Sequence, residues 1–259
     1  MWIISIGLIN IILFAFTIAF ILNRKEAEKI IFDFNFIIQR INENLLPIFL
    51  ICAVVIFHLI EVKFIDPVVT NWIGYDYANN IQTIENGFVY WFSQNWTPGI
   101  IHFFVLIYIA IYPFTLWFSP LYFTIANKKK ALKSLAYGLL IIYLVSLSFY
   151  LFLPITNVYT FYETNSALET VIPSVENFFY STTTTNNCLP SLHTAMTILV
   201  AYCLSLTGNK KLKIFGYFVM TTVIISVIYL SIHWLTDVFA GALLSLGAIF
   251  ILRRYIGDE

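Results

Sequence analysis

Two histidines and one aspartate stand in stretches that are otherwise apolar. His193 belongs to "CLPSLHTAMTILVAY" (188–202), where a proline and a polar cluster give way to a run suited to lipid. Pro190 fits a helix start, because its missing N–H would have no intrahelical partner there. Ser191 and the unpaired N–H groups of the first turn form an anion-binding end. A phosphate at this position would meet a helix dipole, a hydroxyl and an imidazole together. His233 and Asp237 belong to "SVIYLSIHWLTDVFAGALL" (226–244) and are four residues apart, on one helix face. A carboxylate in that relation fixes the tautomer and orientation of an imidazole, leaving the other nitrogen as base, nucleophile or ligand. Asp237 would sit about 6 Å deeper than His233, from the ~1.5 Å rise per residue. An ionised aspartate within a membrane costs about 3 kcal/mol on insertion scales and needs a partner, for which His233 is placed.

The elements that must hold these residues are membrane helices. The chain has 259 residues, 60% hydrophobic and 11% charged, with a mean hydropathy of +0.84. That is too little charge to cover a soluble domain of this length. The net charge of zero gives no basis for binding nucleic acid. Cys52, Cys188 and Cys203 lack the paired spacing of a disulfide framework or metal knuckle. Apolar runs predict seven spans, at 2–22, 45–62, 99–123, 134–153, 191–207, 214–232 and 235–252. The fold class is therefore all-α, a polytopic membrane bundle. Residues 1–44 read as an anchor helix followed by an interfacial segment (30–44), and 45–259 as a six-helix domain. The first run carries its positive charge after it, at Arg24 and Lys25, unlike a signal peptide.

Basic residues then give the orientation. The groups Arg24, Lys25, Lys29 and Arg40, Lys128–Lys130 with Lys133, Lys210, Lys211 and Lys213, and Arg253 and Arg254 all fall on one side of a seven-helix path. The positive-inside rule makes that side cytoplasmic, with the C-terminus. His193 and His233 then face outward at the ends of their helices, in an integral protein of the cell membrane. The two long connections, 63–98 and 154–190, lie on the outer side, and long loops on one face are commonly functional. His58 and His102 map to the outer halves of their helices, where structural roles are expected.

"PSLH" followed forty residues later by S-x6-H-x3-D resembles the type 2 phosphatidic acid phosphatase superfamily. It is closest to the branch containing inositol phosphorylceramide synthases and related lipid phosphotransferases. The resemblance runs from about Phe114 to Phe250. It implies a metal-independent, cofactor-free lipid phosphatase or phosphotransferase. In that family His233 matches the nucleophile that takes the phosphoryl group, and Asp237 the carboxylate that orients it. His193 matches the general acid for the leaving alcohol, and Ser191 the phosphate-binding hydroxyl. Leu192 stands where phosphatases commonly have glycine, as in the phosphotransferase branch. The arginine six positions before the nucleophile is Val227 here, although Ser226 is kept. Nothing basic occurs between Lys133 and Lys210, so the family's upstream lysine and arginine-proline are also absent. Lys63, the only basic residue assigned to the outer side, is the candidate replacement as a phosphate-binding cation, against snorkelling to the headgroups.

The implied partners are a membrane lipid phosphate or phosphodiester and an acceptor that is water or a polyol. Two alternatives differ in class. A catalytically silent relative would bind lipid phosphates without turnover, and a haem protein would use His193 and His233 as axial ligands. No metal is expected, since no third ligand accompanies the histidines at metal-site spacing.

Overall fold

A computed structural model describes residues 2–22, 28, 34–180 and 182–256. Thirteen helices are described, and six of them are long and apolar enough to cross a membrane. In chain order they begin with α1 (Ile3–Ile21), α2 (Phe34–Asn42) and α3 (Leu45–Ile73). Two short helices, α4 (Ala78–Glu85) and α5 (Phe88–Gln94), lead to α6 (Ile100–Ile125) and α7 (Lys129–Phe152). Then come α8 (Val158–Phe161), α9 (Ala167–Val171) and α10 (Val175–Phe179). The chain closes with α11 (Leu192–Ser205), α12 (Lys210–Tyr229) and α13 (Leu235–Ile256). No strand occurs among the described residues, only an isolated parallel bridge between Ile155 and Asn187. This is the all-α bundle that the apolar runs predict.

Three local expectations are corrected. The second span does not close at Val62: α3 runs 29 residues in all, from Leu45 to Ile73, and stops at Gly74, whose φ of 62° supplies a left-handed cap. Lys63 therefore lies inside a helix. Charge ends a hydropathy window, whereas a helix ends where its backbone is capped. The connections 63–98 and 154–190 are likewise not plain loops, since α4, α5 and α8 to α10 form within them. The fifth span, α11, is only 14 residues long. Pro190 precedes its cap rather than filling its first turn, because Ser191 is the N-cap and accepts from the Thr194 N–H. Of the interfacial segment, α2 is described, and its Phe34, Ile38 and Ile41 form one exposed apolar stripe. Arg24, Lys25 and Lys29 lie outside the described residues.

The bundle packs around α11, with α7, α12 and α13 against it. Buried Phe118 and Tyr122 of α6, Leu135 of α7, Leu199 of α11 and Leu252 of α13 share one core. Small residues set the close approaches. A Cβ on Gly138 would strike Leu199, and one on Gly241 would strike the Ser191 carbonyl oxygen. Gly241 and Ser245, four apart, form a small-residue face of α13, with Ser245 fully buried. The starts of α11 and α13 are thereby pressed together.

The basic ends also converge. Lys211 Nζ donates to the Phe20 carbonyl at 2.6 Å, and Asn209 donates to the Ile21 carbonyl at 3.1 Å. Lys128 and Lys210 share the pocket at that end of the bundle. His193 and His233 lie at the other end.

Candidate active site

Three elements bring the predicted residues together. Ser191 caps α11, so His193 falls in its first turn. His233 lies in the short connection between α12 and α13, and Asp237 in the first turn of α13. That connection is fixed from three directions. The Ile232 and His233 N–H groups both donate to the Val227 carbonyl. Trp234 Nε1 donates to the Thr156 carbonyl at 2.8 Å. Glu85 of α4 accepts from the Leu235 and Thr236 N–H groups at 3.1 and 2.7 Å, satisfying donors that the helix start leaves open. The α11 side is tied in where the Ser191 N–H donates to the Asp237 carbonyl at 3.0 Å. The Tyr150 hydroxyl donates to the Pro190 carbonyl at 2.7 Å.

Within this frame a continuous ladder forms. Asp237 Oδ2 accepts from the Trp234 N–H at 2.9 Å and lies 3.4 Å from His233 Nδ1. His233 Nε2 is 3.1 Å from His193 Nδ1, and His193 Nε2 is 2.9 Å from the Tyr108 hydroxyl. One assignment of protons satisfies every rung. His233 Nδ1–H donates to Asp237, which makes His233 Nε2 an acceptor. His193 Nδ1–H donates to that nitrogen, and Tyr108 O–H donates to His193 Nε2. Burial pushes the His233 imidazole from the usual 6.5 down to about 3, opposed by a hydrogen bond with the Cys188 main chain. A neutral ring with its Nδ1 proton on a carboxylate has its Nε2 lone pair available for attack.

His193 and His233 line a cavity of about 330 Å³. Its lower walls are apolar, with Val54, Val55, Leu116, Leu139 and Ile142, as an acyl chain requires. Its upper part is polar but uncharged: tyrosines, Thr182 to Thr184 and Asn187. Both amide atoms of Asn187 and the Thr184 hydroxyl oxygen are buried there with no partner among the described residues. Such groups are costly unless something bonds to them, which suits a polar headgroup. No lysine or arginine lines the cavity among the described residues.

The other two predicted residues sit elsewhere. Ser191 is fully buried and does not line the cavity; its hydroxyl caps α11. Lys63 is exposed, with its ammonium over the Phe64 ring at 5.5 Å, and does not line the cavity either. Conversely, sequence reasoning missed Tyr108, one of 16 tyrosines with nothing to single it out. It also treated His58 as structural, yet His58 lines the cavity.

Cys188, His233 and Asp237 are all buried with ligand atoms within 4.8 Å of one another, a set that could hold a metal ion. Spacing along the chain did not reveal it. Burial and the nearby Asp237 carboxylate push the Cys188 thiol well above its ordinary range, so within the ladder arrangement it is a protonated thiol. Asp237 Oδ2 is meanwhile engaged by Trp234 and His233. The hydrogen-bonded ladder is the arrangement these atoms already satisfy. The haem alternative fits the geometry poorly. The two imidazoles hydrogen-bond directly at 3.1 Å, with ring centroids 5.3 Å apart, leaving no slot for a porphyrin between them.

Comparison with known families matches the chain to the PAP2 superfamily over residues 83–251. No curated protein and no solved structure matches the chain.

Proposed function

The chain belongs to the PAP2 superfamily, and from that premise we propose that it is a lipid phosphatase or phosphotransferase working through a phosphohistidine on His233. The observation that carries this reading is the ladder from Tyr108 through both histidines to Asp237, at the head of an apolar cavity. Its chemistry is in-line phosphoryl transfer. The substrate phosphate enters between His193 and His233 and takes the place of their mutual hydrogen bond. His233 Nε2 attacks phosphorus, forming an N–P bond as the bond to the leaving oxygen breaks. His193 takes up a proton from water as the anionic substrate binds, becoming an imidazolium, and gives its Nδ1 proton to that oxygen. It then takes the proton of the acceptor, whose oxygen attacks phosphorus and breaks the N–P bond. The Tyr108 hydroxyl accepts as readily as it donates, so it holds His193 in both states. Tyr108 is a positioning residue.

Two features support transfer to an alcohol over hydrolysis. Leu192 and Val227 occupy positions where the resemblance to the phosphotransferase branch is closest, and Leu192 lines the cavity. The upper cavity offers hydroxyls and an amide, without lysine or arginine among the described residues. Neutral donors of this kind fit a polyol and a singly charged phosphodiester better than a dianionic monoester. The reading also puts the site on the extracytoplasmic side, opposite the basic clusters. Incubating the purified protein with a panel of lipid phosphates and phosphodiesters, with and without added polyol, tests it. Polyol-dependent formation of a new phospholipid supports transfer. Phosphate release unaffected by polyol supports hydrolysis. No turnover on any member favours the silent relative.

A further inference from the structure

His58 and Glu61 form a polar pair that the ladder does not use. Glu61 is completely buried within α3, where an acid must find a partner nearby. His58 Nδ1 lies 3.5 Å from Glu61 Oε2, and the Tyr143 hydroxyl donates to the same oxygen at 3.4 Å. His58 Nδ1 is shielded from solvent and makes no hydrogen bond among the described residues, while the side chain as a whole keeps 28% exposure. The ring lines the same cavity as His193 and His233. Tyr143 packs edge-on against it, with ring centroids 5.6 Å apart. One nitrogen thus lies near a buried acid, in a ring that also lines the cavity.

We propose that His58 is the cationic contact for the substrate's phosphoryl oxygens, with Glu61 and Tyr143 as positioning residues behind it. The proposal rests on the phosphoryl-transfer reading and deepens it. With substrate bound, the ring would lie between two anions, the Glu61 carboxylate and the phosphoryl group, and an imidazolium is the form that bonds to both. That form offers charged N–H donors, and charge-assisted donors are the strong ones. It needs no lysine or arginine at the family's basic positions. The charge comes from α3, which precedes the matched residues 83–251. A second observation agrees. Glu61 opens a stretch of wider helical turn, Glu61–Ile65, and Tyr108 lies within another, Ile107–Ile111. Such turns recur at functional sites; Tyr108 of the second lines the cavity, and the first follows His58 along α3.

The test uses the full chain in lipid nanodiscs, with inorganic vanadate as the probe and thermal stabilisation as the readout. Wild-type protein should bind vanadate. His58→Gln should weaken binding by about tenfold to 100-fold, the loss of one hydrogen bond to a charged group. Glu61→Gln should weaken it in the same direction, and His58→Lys should restore much of the affinity. Wild-type affinity in His58→Gln would overturn the contact while leaving the phosphoryl-transfer reading intact. Equal loss in His58→Gln and His58→Lys, with a lowered melting temperature in both, would also overturn it and mark His58 as structural. Absence of vanadate binding by wild-type protein would overturn the underlying reading, and this contact with it.

Discussion

At His193 both ring nitrogens are engaged, Nδ1 by His233 and Nε2 by the Tyr108 hydroxyl. Tyr108→Phe keeps the ring packed beside His193 but removes the hydrogen bond that fixes its tautomer. Turnover should fall by about tenfold, the kinetic equivalent of one hydrogen bond. KM should stay near wild type, because Tyr108 acts on the acid rather than on the substrate. An unchanged kcat would remove Tyr108 from the account. The three residues His193, His233 and Asp237 were legible because polar types are rare in such runs and their spacing is informative. Tyr108 was not, since its partner is 85 positions away and tyrosine is abundant here. His58 and Glu61 were visible as neighbours in sequence. Their burial against the site depended on α3 passing beside α7, which no local pattern records.

Among the elements, the junction of α11 with α13 sets the distance between the histidines. The Ser191 N–H bonds the Asp237 carbonyl, and Gly241 leaves room for the Ser191 carbonyl oxygen. Gly241→Val places a branched side chain into that oxygen, so the helix starts must separate. Overpacking of this kind costs about 1–3 kcal/mol. The expected outcome is a lower melting temperature together with loss of activity. Gly247→Val, where added atoms meet nothing nearby, should be tolerated. Equal behaviour of the two variants would mean that the contact does not set the site. Hydropathy located the helices well, because lipid selects strongly for apolar runs. It placed the end of α3 wrongly, because the Gly74 cap lies beyond the charges of Glu61, Lys63 and Asp66. The helices inside the long connections were equally hidden: α4 and α5 are short, and their caps are left-handed Asn86 and Gly87.

For the whole molecule, the basic end and the histidine end are opposite, which yields a test of sidedness. In protein lacking its three native cysteines, a cysteine replacing exposed Asn165 should react with an impermeant thiol reagent in intact cells. One replacing exposed Lys210 should not. The reverse pattern would put the site in the cytoplasm. Chain length and charge were enough to predict a bundle with two unlike ends. The apolar cavity between α3, α6, α7 and α11 was beyond sequence reasoning, because its lining comes from helices distant in the chain. In the proposed reaction that cavity delivers a lipid phosphate to His233, where a covalent bond to phosphorus forms. The direct measurement is intact-protein mass spectrometry after rapid acid-free quenching with a turned-over lipid substrate, followed by peptide mapping. The account predicts a phosphoryl adduct on His233 that is stable to base, labile to acid and absent from His233→Ala. An adduct on another residue, or full turnover by His233→Ala, would contradict it.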